Sequence, residues 1–349
     1  MKAGRIIWLP FAFLIFVGNL ALAKPALAAT PNSGINLQIS PLPIELSVKP
    51  GESISTDLRV RNGGNQTEKL QVRVLKVTED DNGLVHFSEP QKTDEWASWI
   101  SFSRTVIDAP PNDWQTVHMT VNLPKDAAFG YYFAVEYLRA SAELPQPGQA
   151  VARGAVATFI LLSADNPNAK REAKVVSFTA SHKLYEFLPI NFVAKIRSTG
   201  NVHVAAHGNV FINKGSKQVG SVEINAAQGN VLPASSRYFS TGWDDGFPHY
   251  EAVLKDGQAV LDKKGQPVRS LRWDFSKVNR LRFGHYSAHL FMIYDNGQRD
   301  VPIEASLSFW VVPWRILGGL LLIVLLGMAG LWAILRPLVR RLPKNKKRA

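Results

Sequence analysis

The alternation of apolar and polar positions dominates the middle of the chain. Residues 70–77 (LQVRVLKV) and 116–121 (TVHMTV) both alternate with a period of two, and clusters of Asn, Gly, Asp and Pro separate such stretches. This period is typical of strands with one buried face. We therefore predict an all-β fold of antiparallel sandwiches, without a helix of useful length before residue 316.

The N-terminal end has a different pattern. Lys2 and Arg5 precede an apolar run over residues 6–23, and small residues follow it. A basic n-region, an apolar h-region and a cleavage site with small residues are the three parts of a secretory signal peptide. We expect a signal peptide over residues 1–28, and an uncleaved N-terminal helix is the alternative.

The C-terminal end carries a second apolar run, over residues 316–335. A helix of about 20 residues spans the hydrocarbon core of a bilayer, so we predict one transmembrane helix over residues 313–336. The excess of Lys and Arg in residues 337–349 places this tail in the cytoplasm and the body of the chain outside the cell membrane. The expected anchors at the membrane surfaces are Trp310, Trp314, Trp332, Arg336, Arg340 and Arg341.

Two pairs of similar segments indicate an internal repeat. The sequence VRNGGN at residues 60–65 resembles IRSTGN at residues 196–201. Later, FGYYFA at residues 129–134 resembles FGHYSA at residues 283–288. The two pairs occur in the same order, so we predict two copies of one fold.

The Gly-x-Tyr steps that end at Tyr132 and Tyr286 indicate the type of sandwich. They are similar to the corner of immunoglobulin-like sandwiches, where a tyrosine hydroxyl anchors the turn before a late strand. The polar, proline-containing stretch at residues 163–170 separates the copies. We predict two tandem immunoglobulin-like β-sandwich domains, over residues 29–167 and 168–312.

Two irregular stretches interrupt this pattern. Residues 141–149 contain two prolines and a glycine, and we expect them to join the last two strands of the first domain. Residues 244–277 are extra in the second domain. They include KDGQ at residues 255–258, an Asp-Gly turn signal, so we predict an inserted hairpin.

The charge is concentrated at the two ends of the chain. The net charge is +12, but residues 1–29 and 315–349 carry eleven of the 40 basic residues and none of the acidic ones. This leaves 29 basic against 28 acidic residues between them. A near-neutral body offers no footprint for nucleic acid. The chain has no cysteine, which excludes disulfides, thiolate metal sites and cysteine nucleophiles.

The search for catalytic chemistry gives no motif, and we predict neither an enzyme nor a cofactor or metal site. His203 and His207 are four residues apart, as are His285 and His289. On a strand this spacing separates the two side chains by about 13 Å, which is too far for them to bind one metal ion. The acidic clusters at residues 79–83 and 244–246 leave calcium as an alternative, although turn chemistry explains them as well.

Aromatic residues are the candidate binding residues. Exposed aromatic side chains suit sugars or an apolar patch of a partner, because they bury a large area with little loss of side-chain freedom. Packing in the core is the alternative for each of them. The candidates are Trp96, Trp99, Trp114, Trp243, Tyr250 and Trp273.

Four short motifs complete this layout: PLP (41–43), KPG (49–51), FGYY (129–132) and FWVVPW (309–314). With these motifs the chain resembles the WxL-interacting surface proteins of Gram-positive bacteria. The resemblance implies a signal peptide, two immunoglobulin-like domains, one membrane helix and a short basic tail. It also implies a first domain that contacts peptidoglycan and a second that contacts another surface protein.

Together these patterns predict a membrane-anchored bacterial cell-surface protein with a binding or scaffold role. Its expected partners are the membrane, peptidoglycan and a surface protein. One alternative is an accessory or sensor subunit of a membrane complex. A second is a glycan hydrolase that uses Asp244, Asp245 or Glu251, although no spacing fixes a carboxylate pair.

Overall fold

A computed structural model describes residues 36–80, 83–140 and 155–340 of the chain. The expected signal peptide, the joining stretch at residues 141–149, Arg341 and the rest of the tail lie outside the described residues. The predicted fold class is confirmed: the described chain consists of two immunoglobulin-like β-sandwiches followed by one long apolar helix.

The first sandwich packs a four-stranded sheet against a six-stranded one. Its strands are β1 (Leu37–Ser40), β2 (Ile44–Val48), β3 (Ser53–Asn62), β4 (Glu68–Glu79), β5 (Val85–Ser88), β6 (Ile100–Phe102), β7 (Val106–Ala109), β8 (Trp114–Asn122), β9 (Gly130–Arg139) and β10 (Ala155–Ala164). One sheet has the order β1-β3-β8-β6, and the other β2-β10-β9-β4-β5, with β7 beside β4. Strand β2 pairs with β10 in parallel, so the first edge strand changes sheets between β1 and β2.

The second sandwich repeats this topology. Its strands are β11 (Ala173–Ala180), β12 (Leu184–Tyr185), β13 (Ile190–Ser198), β14 (His207–Lys214), β15 (Lys217–Ile224), β16 (Ser236–Trp243), β17 (His249–Ala252), β18 (Leu254–Lys255), β19 (Gln258–Ala259), β20 (Arg269–Arg272), β21 (Gly284–Asp295) and β22 (Asp300–Val311). The two main sheets are β11-β13-β16 and β12-β22-β21-β14-β15. Again the first edge strand changes sheets, because β12 pairs in parallel with β22.

The insertion in the second sandwich is larger than the sequence indicated. Strands β17 and β20 form one hairpin, and β18 and β19 form a smaller one at its tip. Asp256 and Gly257 have φ values of 53° and 79°, the positive pair that an Asp-Gly hairpin turn requires. The insertion continues beyond residue 277 through the 3-10 helix Phe275–Arg280, and the main sheet resumes at Gly284.

Each sandwich has a tyrosine corner, and one of the two predicted residues is wrong. The Tyr286 hydroxyl accepts a hydrogen bond from the backbone N–H of Phe283 at 3.2 Å, as predicted. In the first sandwich the equivalent bond, from Ala128 N–H at 2.8 Å, goes to Tyr131 and not to Tyr132. Side chains alternate along a strand, so Tyr132 points to the opposite face of the sheet.

The hydrogen bond of the second tyrosine corner is expected to contribute measurably to the stability of the second sandwich. We expect Tyr286→Phe to lower the free energy of unfolding by about 1 kcal/mol, because the Phe283 N–H loses its acceptor while the buried ring stays. Urea denaturation of the full chain in detergent measures the change. Tyr238→Phe, at a tyrosine that is 46% exposed, is the matched control, and an equal loss there would contradict the prediction.

The C-terminal helix α1 (Trp314–Arg340) begins close to where it was expected and ends later. Its residues 314–336 are long and apolar enough to cross a membrane, and none of the apolar window is buried against the sandwiches. We predicted a transmembrane segment that ends at residue 336, where the basic tail begins. The helical backbone continues through Pro337 to Arg340.

Candidate functional site

The two sandwiches meet at a second, smaller apolar cluster outside their own cores. Leu75 and Val77 of β4, Ala134 of β9 and Leu161 of β10 lie on the outer face of the first sandwich, and Leu232 of the second sandwich packs on them. All five are buried. The sheet that contains β4, β9 and β10 therefore buries apolar side chains on both faces.

Polar groups bridge the same junction. One carboxylate oxygen of Glu79 accepts hydrogen bonds from the Ser235 hydroxyl at 2.7 Å and from the Leu232 N–H at 3.2 Å. The Asn230 side-chain amide donates to a Glu45 carboxylate oxygen at 2.9 Å. These bonds fix the loop before β16 against the first sandwich.

Tyr132, which the corner does not use, binds the second sandwich. Its hydroxyl accepts a hydrogen bond from the backbone N–H of His203 at 2.9 Å, and the two rings meet edge to face at 5.6 Å. Gly130 allows this placement, because a Cβ there would collide with the Tyr132 hydroxyl. Burial lowers the pKa of His203 from 6.5 to about 4, and burial also raises the pKa of Tyr132.

A cavity of about 330 Å³ opens beside this junction, and we call it the cleft. Most of its wall is apolar. The first sandwich contributes Leu42, Pro43, Glu79, Val85, Phe87, Phe159 and Leu161, and the second contributes Ala227, Gln228, Gly229, Asn230, Leu232 and Arg237. Two acceptors in this wall, Glu79 Oε1 and Asn230 Oδ1, are buried without a hydrogen-bond donor among the described residues.

An edge strand borders the cleft. Strand β5 pairs with β4 on one side, and among the described residues no strand pairs with its other side. Val85 and Phe87, which are two residues apart and so share one face, both line the cleft. Phe87 is 53% exposed and Leu42, across the opening, is 61% exposed. The cleft therefore combines an apolar floor with unpaired backbone groups.

The candidate aromatic residues of the first sandwich do not form one platform. Trp96 stacks on Phe133 at 5.5 Å, and Trp99 meets Tyr131 edge-on at 4.9 Å. Both tryptophans pack against the core of the first sandwich. Trp114 is exposed at the start of β8.

The candidate aromatic residues of the second sandwich differ in how exposed they are, and they do not form one surface either. Trp243 is 1% exposed and lies in the core. Tyr250 is half-buried and contacts Phe187 at 6.1 Å. Trp273 is exposed in the insertion.

The expected membrane anchors among the described residues lie close to the two ends of α1. Trp310 is exposed on the last strand, and Trp314 is exposed at the first residue of the helix. Further along, the Arg336 guanidinium lies 4.9 Å from the ring of Trp332. Arg340 is the last residue of the helix.

Two of the carboxylates considered for hydrolysis, Asp245 and Glu251, have basic partners. Asp245 binds Arg282, at 2.7 Å, and also Arg280. Glu251 pairs with Arg272 at 3.1 Å. Among the described residues, no group of three or more His, Cys, Asp or Glu side chains could hold a metal ion.

The cleft was not predicted from the sequence, although two sequence signals pointed to it. In residues 70–77 the apolar alternation changes phase, and Leu70 and Val72 face the core whereas Leu75 and Val77 face the junction. Strand β10 contains the continuous apolar run FILL at residues 159–162, which is typical of a strand buried on both faces.

Comparison with known proteins identifies no family for this chain. No family model matches the chain, and no curated protein matches it in sequence. Among solved structures, the class 5 fimbriae chaperone CfaA is similar at 13% identity, with 80% of this chain and 100% of that chain covered and a TM-score of 0.36. The CupB2 chaperone of Pseudomonas aeruginosa is similar at 12% identity, covering 78% and 100%, with a TM-score of 0.33. The CsuC–CsuE chaperone–tip adhesion subunit complex of Acinetobacter baumannii is similar at 12% identity, covering 58% and 89%, with a TM-score of 0.34.

Proposed function

We propose that this protein is a membrane-anchored binding protein of the bacterial cell surface, which holds an extended apolar segment of another surface protein in the cleft. The observation that carries the proposal is an apolar cavity beside the open edge of β5. An extended peptide can add a strand to such an edge and place alternate side chains in adjacent pockets.

The polar groups of the cleft suit a peptide. Gln228 and Arg237 line the cleft, and their amide and guanidinium groups can donate hydrogen bonds to peptide carbonyls. A glycan would need exposed aromatic faces, and of the six aromatic candidates only Trp114 and Trp273 are exposed. These two belong to different sandwiches, so they offer no shared platform.

The C-terminal helix supports the membrane attachment in this proposal. Helix α1 has the length and composition to span a bilayer, and the basic residues after it favour a cytoplasmic tail. Both sandwiches then stand outside the membrane. This arrangement agrees with the layout implied by the resemblance to WxL-interacting proteins, which would add peptidoglycan as a partner of the first sandwich.

The proposal is tested with the full chain in lipid nanodiscs. Binding is measured to proteins extracted from the envelope of the source cells and, separately, to purified peptidoglycan. We expect Phe87→Ala to weaken binding of the protein partner by tenfold or more, because the loss of a buried Phe contact costs about 2 kcal/mol.

Val106→Ala is the matched control, because Val106 is 47% exposed on the same sandwich and lies outside the cleft. This variant should bind like the unchanged chain. Retention by peptidoglycan alone, with no effect of Phe87→Ala, would overturn the assignment of the cleft.

A further inference from the structure

The insertion of the second sandwich exposes an apolar surface that its own fold does not require. Five side chains contribute to this surface, which we call the foot patch: they are between 46% and 71% exposed. The members are Trp273, Phe275, Val278, Leu281 and Phe283. Isolated exposed apolar residues are ordinary, but a contiguous group of this kind marks a binding surface.

Phe247 connects three members of the foot patch, Trp273, Phe275 and Leu281. The rings of Trp273 and Phe275 stack with their centroids 6.3 Å apart. Their centroids lie 5.8 and 5.6 Å from that of the buried Phe247 ring. The Phe247 N–H donates to the Arg280 carbonyl at 3.1 Å. The aromatic cluster is therefore attached to the segment that leads into β21.

That segment lies at the end of the sandwich from which the helix emerges. Phe283 directly precedes Gly284, and Gly284 pairs with Val311, three residues before α1 begins at Trp314. Three residues of extended chain span at most about 10 Å. The headgroup layer on each side of a bilayer is about 5–8 Å thick. The Phe283 end of the patch is therefore close to the point where α1 would enter the membrane.

Two further contacts show that the insertion lies beside the start of α1. Glu186 accepts a hydrogen bond from the Arg315 N–H in the first turn of α1, at 3.3 Å, and its carboxylate lies 3.4 Å from the Arg315 guanidinium. The next residue, Phe187, contacts Tyr250 of the insertion at 6.1 Å. The helix start and the insertion therefore pack on neighbouring residues.

The charges around the patch are largely paired. Arg280 and Arg282 bind Asp245, Arg272 binds Glu251, and Lys277 lies 3.9 Å from Asp274. These four basic residues face three carboxylates, which leaves one net positive charge near the patch. The apolar and aromatic side chains must supply most of the attraction to the membrane.

We propose that the foot patch inserts into the headgroup layer of the same bilayer that α1 spans. Trp273 suits this layer because its ring has an apolar body and a polar N–H, and the other four members bury apolar area there. The second sandwich would then be held at two points, the helix and the patch, which fixes its tilt and the height of the cleft above the membrane. The inference rests on the membrane anchor of the proposed function.

The absence of native cysteine allows a direct test in the full chain. A single cysteine introduced as Val278→Cys is labelled with a small fluorophore, in phosphatidylcholine vesicles that contain a minority of phosphatidylglycerol. Quenching is measured with lipids that carry a nitroxide either near the headgroup, for Val278, or deep in the acyl chain, for Leu325, and with a water-soluble quencher. Tyr238→Cys, on exposed β16, is the control outside the patch, and Leu325→Cys reports on the helix.

We expect lipid quenching at Val278 to be several-fold stronger than at Tyr238 and to persist at high salt. Adding Trp273→Ser and Phe275→Ser should lower it to the Tyr238 level. Quenching at Leu325 but not at Val278 would overturn this inference and leave the anchor intact. Protection of Val278 from the water-soluble quencher without lipid quenching would assign the patch to a protein and also overturn it. No lipid quenching at Leu325 would overturn the anchor itself.

Discussion

Replacing Trp243 with alanine is expected to lower the free energy of unfolding of the second sandwich by about 3–5 kcal/mol. Trp243 is the largest side chain in that core and is 1% exposed. Its ring contacts Tyr286 at 5.7 Å and Phe309 at 6.3 Å, and the Arg282 guanidinium lies 5.2 Å from it. Alanine would leave a cavity among residues that the two sheets hold in place.

The neighbouring Gly220 shows how closely this ring is packed. A Cβ at Gly220 would lie 2.7 Å from Trp243 Nε1, so the opposite strand has no room for a larger residue. Denaturation of the full chain in detergent, followed by circular dichroism, measures the effect of Trp243→Ala. Trp273→Ala is the matched control, because Trp273 is 47% exposed, and its cost should stay below about 1 kcal/mol. Equal costs for the two variants would contradict the placement of Trp243 in the core.

Acidification is expected to separate the two sandwiches. His203 has a pKa of about 4 in the closed junction, because burial disfavours its charged form. Arg171 lowers this pKa further and Glu45 raises it, while Tyr132 covers the ring. Once the sandwiches separate, solvent reaches the ring and its pKa returns towards 6.5.

The direction of the effect follows from which state binds the proton more tightly. The separated state does, so the junction is fully stable above pH 6.5 and weakens as the pH falls from 6.5 to about 4. A shift of about 2.5 pH units corresponds to a loss of at most about 3 kcal/mol. The distance between spin labels on Val106→Cys and Tyr238→Cys reports the separation, since both sites are exposed and lie on different sandwiches.

His203→Gln is the control for this prediction. Glutamine does not titrate, and the backbone N–H that binds Tyr132 stays in place. The distance in this variant should not change between pH 6.5 and 4. Separation with the same midpoint in His203→Gln would show that another group drives the transition.

Local patterns were sufficient for the elements of this fold. The period of two predicted β4 and β8, the Asp256–Gly257 turn predicted the small hairpin, and the apolar run predicted α1 within a few residues at its start. Each of these signals depends on residues close together in the chain, where backbone geometry and the burial of one face act directly. The error at Tyr132 arose where two adjacent tyrosines made the local signal ambiguous.

The sequence by itself determined that two related sandwiches precede a helix able to span a membrane. Only the tertiary structure decided that Trp243 is core while Trp273 is exposed, and that a cleft lies between the sandwiches. It also placed the insertion beside the start of α1. The physical reason is distance along the chain: the Glu79–Ser235 bond that closes the junction joins residues 156 positions apart. Such contacts depend on how two finished sandwiches pack, and no local periodicity encodes that packing.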